Sequence, residues 1–128
     1  MKPKAKLPFD SKAFLSKVNG GHTLSDYQKN QIACAQGDPA DSVFFIHKGK
    51  AKVTVLSEQG KEAVVALLGV GDFFGEGCLA GQPRRMATAS AMTDCVIARM
   101  AKADIVRVIH EQPAFSELFI SHLLARNI

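Results

Sequence analysis

The stretch Gly69-Val-Gly-Asp-Phe-Phe-Gly-Glu-Gly-Cys-Leu-Ala-Gly-Gln-Pro-Arg-Arg-Met-Ala-Thr88 places Gly69, Gly71, Gly75, Gly77 and Gly81 within thirteen residues and follows them with Arg84 and Arg85. Glycine lets backbone N–H groups approach an anion closely, a short helix starting here would aim its positive end at the same point, and an arginine completes the site with a two-pronged guanidinium. That chemistry suits phosphate. Glu76 runs against it, because a carboxylate repels an anion unless it serves another part of the ligand. A ribose hydroxyl donating to Glu76 resolves the conflict, and the site then wants a sugar phosphate. The same spacing also fits glycines that only make turns beside solvated arginines, and spacing alone weighs the two readings equally.

On either side, from Gln31 to Arg99, Gly, Asp and Pro punctuate short apolar stretches of strand length. This is the rhythm of an antiparallel sandwich or barrel. Residues 42–47 (Ser-Val-Phe-Phe-Ile-His) make one strand. In residues 50–56, Ala51, Val53 and Val55 alternate with Lys52 and Thr54, which predicts one buried and one wet face. Glu58-Gln59-Gly60-Lys61 supplies a turn, and residues 62–68 return as the partner of a hairpin. Further strands are expected over 87–92 and 95–100.

The flanks read as helices. Asp10 precedes Ser11-Lys12-Ala13-Phe14-Leu15 as a cap, and residues 103–111 set Ile105, Val108 and Ile109 on one stripe. Pro113 suits a first helical turn and opens a last helix. There Leu118, Phe119, Ile120, Leu123 and Leu124 cover more than half of the helical wheel. Such a helix either lies deep in the core or packs on its own domain with one side and on a partner helix with the other.

Composition bounds the rest. The chain has 128 residues, 47% of them apolar. A chain of this size buries about two thirds of the surface it exposes when unfolded, enough for one domain. No apolar run reaches the roughly 20 residues of a membrane span, and no apolar core follows the charges of Met1-Lys2-Pro3-Lys4-Ala5-Lys6. A cytoplasmic protein without membrane contact is expected. Sixteen Lys and Arg against twelve Asp and Glu give +4, but Lys2, Lys4 and Lys6 supply three of these charges. The remainder, about +1, is not the basic footprint of a nucleic-acid-binding domain. Cys34, Cys78 and Cys95 are odd in number and far apart, so neither a disulfide framework nor a metal knuckle is indicated.

Taken together, these residues resemble a known family. The opening stretch resembles the phosphate-binding cassette of the cyclic-nucleotide-binding domain, and the chain is similar to the sensor half of bacterial regulators of the cyclic-AMP-receptor and fumarate-nitrate-regulator (Crp/Fnr) type. Gln36-Gly37-Asp38-Pro39-Ala40-Asp41-Ser42-Val43-Phe44-Phe45-Ile46 with Lys48-Gly49 matches the family's early strand-turn-strand signature. Leu68 to Glu76 matches its run into the cassette, and Pro83 to Thr88 its end. The resemblance implies a mainly β fold, a double-stranded β-helix or jelly-roll-like β-roll of about eight strands, with a short N-terminal helix and C-terminal helices. It divides the chain into a basic tail (1–9), the nucleotide-binding β-roll with flanking helices (10–112) and the start of a dimerisation helix (113–128).

The resemblance also implies roles. Gly75 turns the backbone against the ligand, Glu76 accepts the ribose 2′-hydroxyl, and Arg85 binds phosphate. The Gly77, Cys78 and Met86 amides add donors, while Arg84 points to solvent. Two positions depart from the family pattern: Gly77 stands where an apolar residue is common, and Met86 where Ala, Ser or Thr is. The absence of Ser or Thr at Met86 leans from cyclic GMP towards cyclic AMP. The implied partners are cyclic AMP and a second copy of the chain, paired through the last helix and weakened if that helix is cut short. DNA would be reached only through a helix-turn-helix module not present in these residues. A second reading keeps the fold and the dimerising helix and leaves the cassette vestigial.

Other chemistries find less support. No cysteine cluster suggests an iron–sulfur centre, and His22, His47, His110 and His122 are too scattered for haem or for the His-x-His metal site of a cupin enzyme. No nucleophile–base constellation is present, so no enzyme, metal or haem is expected. Cys78 lies at a helix start, where a thiol's pKa can fall, but a small packed cysteine is the favoured reading.

Overall fold

The computed structural model describes residues 22–126, so the expected basic tail and the helix after Asp10 lie outside the described residues. Eight strands are seen among them: β1 (His22–Tyr27), β2 (Ile32–Cys34), β3 (Ser42–Lys48), β4 (Ala51–Leu56), β5 (Glu62–Leu68), β6 (Phe73–Phe74), β7 (Thr88–Ala91) and β8 (Cys95–Ala101). They form two four-stranded antiparallel sheets, ordered β1-β8-β3-β6 and β2-β7-β4-β5. This is the expected β-roll. A five-residue 3₁₀ helix (Glu76–Ala80) interrupts the chain between β6 and β7, and two α-helices, α1 (Lys102–Glu111) and α2 (Pro113–Arg126), close it.

β3 explains the layering. Ser42, Val43, Phe44, Phe45 and Ile46 are all buried, because both faces of this strand are covered. Phe44 and Ile46 face the second sheet, in a cluster that joins Phe74 and Ile97 of their own sheet to Ala89 of the other. Val43 and Phe45 face the helices, packing with Met100, Ile105, Val108 and Phe119. A strand wetted on neither side needs no polar alternation, hence the continuous Val-Phe-Phe-Ile run. Its neighbour β6 sets Phe74 opposite Phe44 and Phe73 opposite Phe45. The Phe44 and Phe74 rings stack with centroids 4.8 Å apart.

The 4–5 hairpin forms as read, with Gly60 at φ 82° in its turn. The alternation expected along β4 does not persist. Ala51 and Thr54 are buried while Val53 and Val55 are only partly so, because the register slips between Val53, paired with Ala66, and Thr54, paired with Val64. Val65 is left over, and such a bulge re-aims the side chains around it.

In α2 the wide apolar face divides. Phe119 is wholly buried, its ring edge-on to Phe73 at 5.2 Å, whereas Ile120 and Leu124 are 49% and 62% exposed. One side of the helix covers its own domain and the other is open to solvent.

Candidate nucleotide-phosphate site

Two distant segments build the site. Pro83 and Arg85, at the end of the glycine-rich stretch, lie along Gly37–Ala40: the Gly37 N–H donates to Arg85 C=O (2.8 Å), Arg85 N–H to Asp38 C=O (2.7 Å) and Ala40 N–H to Pro83 C=O (3.0 Å). The turn beneath is fixed by its own residues, the Asp38 carboxylate accepting from Ala35 N–H. Gln36 adds a side-chain rung, its carboxamide pairing with both backbone groups of Leu56. The two motifs singled out in the sequence are thus one structural unit, with the cassette's arginine carried on the early turn.

On the opposite wall β6 ends at Gly75, which adopts φ 78°, ψ 11°, a left-handed conformation that opens the 3₁₀ helix. Here glycine is required twice, since a Cβ would also meet Arg85 Nη1 at 2.6 Å. Between the walls lies a cavity of about 250 Å³, lined by all six residues singled out in the sequence: Gly75, Glu76, Gly77, Cys78, Arg85 and Met86. The sequence did not single out Cys34, Val53, Phe74, Gln82, Ala87 and Ala89, which complete the lining with Ala40.

The most unusual group is Arg85. Only 7% exposed, it donates from Nη1 to Gly75 C=O (3.0 Å) and from Nη2 to Ser42 C=O (2.8 Å) and Ser42 Oγ (2.9 Å). Its guanidinium carbon stands 5.3 Å from the centre of the Phe44 ring, a cation–π contact worth about 0.5–2 kcal/mol. The Nε–H has no hydrogen-bond partner. The nearest carboxylate, Asp41, is 3.8 Å away and itself 64% exposed, and it also pairs with Arg99 at 3.3 Å. Burial pushes the Asp41 carboxyl up, but hydrogen bonding from Ser42 and the charge of Arg99 outweigh this and hold it below its ordinary value. A buried cation with an unused donor and a shared, largely solvated counter-ion is under-compensated. An anion entering the cavity would correct that.

The remaining residues fall as follows. Arg84 is exposed and donates to Gly37 C=O at 3.0 Å. Met86 is 65% exposed at the cavity wall, so its side chain does not fill the interior. Glu76 is partly buried, and its carboxylate has no hydrogen-bond partner among the described residues. Cys78 is the packed cysteine the sequence favoured: burial pushes its thiol up, and the charge of Arg85 offsets this only in part. Its Sγ packs in the core, against Ser42 C=O. All three cysteines are free. Among the described residues no group of three or more His, Cys, Asp or Glu could hold a metal, and no helix is long and apolar enough to cross a membrane.

A β-roll whose glycine-bounded cavity holds one buried, under-compensated arginine and one free carboxylate has the architecture of a small-molecule binding domain. The chain belongs to the cyclic nucleotide-binding domain family, whose model matches residues 24–112. It is 31% identical over 91 residues to the cAMP-activated global transcriptional regulator CRP of Salmonella typhimurium, covering 70% of this chain and 43% of that protein. It is 30% identical over 110 residues to a cAMP-dependent protein kinase regulatory subunit of Yarrowia lipolytica, covering 75% and 28%. The catabolite activator protein of Thermus thermophilus superposes with a TM-score of 0.77 at 25% identity, over 91% of this chain and 55% of that one. The domain is therefore a cyclic nucleotide-binding domain of the Crp/Fnr type. The chain spans less than half the length of these curated relatives.

Proposed function

We propose that this domain senses cyclic AMP and passes occupancy of the cavity to α2. Arg85 takes the cyclic phosphate, Glu76 accepts the ribose 2′-hydroxyl, Gly75 provides the close approach, and the Gly77, Cys78 and Met86 amides supply further donors. The observation that carries the reading is Arg85, a buried guanidinium that lines the cavity and whose Nε–H has no partner. Its chemistry calls for an anion, and the neighbouring carboxylate of Glu76 calls for a hydroxyl on the same molecule. Met86 brings no hydroxyl to the site, which favours adenine over guanine as the base.

Transmission has a physical basis. Leu123 of α2 shares one groove with Gly75 and Glu76 and another with Glu76 and Gly77. A ligand that shifts these residues alters the seat of the helix, and a ligand moves such an equilibrium by its difference in affinity for the two seats. In this reading residues 10–112 are the sensor, 113–128 belong to a dimerisation helix, and Ile120 and Leu124 meet a second copy.

Calorimetric titration with cyclic AMP tests the proposal, a saturable heat and a raised melting temperature being expected. No heat and no thermal shift at millimolar ligand would leave the vestigial cassette as the reading.

A further inference from the structure

We infer that Gln82 is a further binding contact for the ligand, its carboxamide donating to the phosphate from the wall of the cavity it shares with Arg85. The inference rests on the cyclic-nucleotide reading of the cavity and goes further, since it concerns a residue to which the cassette motif gives no role.

Three features of the geometry converge. First, the carboxamide of Gln82 occupies the space that a Cβ on Gly77 would take. The glycine that departs from the family pattern is therefore what admits Gln82 to the cavity wall, and any larger residue there would displace it. Second, the placement is fixed by the backbone: Gly81, at φ 90°, ends the 3₁₀ helix, and Gln82 N–H donates to Gly77 C=O at 3.2 Å. The side chain therefore starts from a tethered position beside Gly77. Third, the carboxamide has no hydrogen-bond partner among the described residues, although it lines the same cavity as Arg85 and Glu76. Its two N–H donors are unused.

Counting donors assigns it to the phosphate. A guanidinium has five N–H groups, and Arg85 already commits three of them to Ser42 and Gly75. The two N–H groups left on Arg85 and the backbone amides of the cassette leave room on the two exocyclic oxygens of a cyclic phosphate for one more donor, since each oxygen can accept up to three bonds. The ribose hydroxyl, by contrast, already has the acceptor it needs in Glu76. A neutral donor at Gly77 thus completes the phosphate shell without adding another buried charge.

The test measures the affinity of the purified chain and of its Gln82→Ala variant for cyclic AMP and for 2′-deoxy-cyclic AMP by calorimetry, with unliganded melting as a control for folding. A hydrogen bond to a charged acceptor predicts about ten-fold weaker binding by Gln82→Ala. The same factor is expected on both ligands, with the unliganded melting temperature unchanged because the side chain is exposed and unpartnered. Equal affinities of variant and wild type would overturn the inference, as would a loss seen with cyclic AMP and absent with the deoxy ligand, which would place the contact at the hydroxyl. If the wild-type chain binds neither ligand, the reading of the cavity itself is overturned, and this inference with it.

Discussion

Replacing Arg85 by alanine removes both the under-compensated charge and the fork that carries it, and its two effects can be separated. Without ligand, the variant loses three hydrogen bonds, leaving Ser42 and Gly75 carbonyls without this donor, while relieving a buried cation whose Nε–H has no partner. The terms oppose one another, and a net loss of about 1–3 kcal/mol is expected, at which the domain stays folded. With ligand, a charge-assisted contact of about 1.5–3 kcal/mol disappears, which corresponds to roughly ten- to a hundred-fold in affinity. Thermal denaturation then gives a sharp contrast. At a cyclic AMP concentration of about 100 Kd the wild type gains about 2.7 kcal/mol. A variant weakened a hundred-fold gains only about 0.4 kcal/mol at that concentration. Arg84→Ala serves as the control, since it breaks one exposed contact to Gly37 and should keep nearly the full ligand-induced shift. Equal losses at the two positions, or an Arg85→Ala variant stabilised as much as wild type, would refute the assignment of the cavity's charge to phosphate.

Further perturbations test other links in the same chain of causes. Gly75→Ala forces a side chain into a left-handed conformation at about 1–2 kcal/mol and presses on the Arg85 guanidinium, so both the denaturant midpoint and the cyclic AMP affinity should fall. Phe119→Ala leaves a cavity beside Phe73 where a wholly buried ring stood, and equilibrium unfolding should report a loss of about 3–5 kcal/mol. Because the folded-state pKa of Asp41 is depressed, its contribution to stability is fully present above the unfolded carboxyl value of about 3.9 and is lost as pH falls through the lower folded value. Asp41→Asn should flatten that part of the acid-unfolding curve and leave stability near neutrality little changed by pH.

How far the sequence could be read follows from the length of each element and the reach of each contact. β3, β5, β8, α1 and α2 are long enough for their periodicity or apolar runs to declare them. β2 has three residues and β6 two, too few to show any period. β1, with the polar sequence His-Thr-Leu-Ser-Asp-Tyr, has almost no apolar signal and depends on its six-residue pairing with β8. The bulge opposite Val53 is a property of the pairing between two strands and leaves no mark on β4 itself. At the site, glycine spacing left phosphate binding and plain turns equally open, and it was the family resemblance that separated Arg85 from Arg84 and named the six residues that line one cavity. Ser42 was visible only as part of a strand: its role in holding Arg85 spans 43 residues. Gln82 remained silent for a related reason, since its position matters only through the empty space above Gly77.

The three main-chain hydrogen bonds that tie Pro83–Arg85 to Gly37–Ala40 have a consequence for how this domain can change. Contacts made by backbone groups are indifferent to side-chain identity, apart from proline at a donor position. The anchor of the arginine is thus insulated from substitutions in the lining around it. Positions 34, 77, 82 and 86 form a palette that can be varied to retune which nucleotide is read, while the charged reference point stays in place. A library randomised at those four positions, on an otherwise fixed chain, would search ligand preference with little risk to the scaffold.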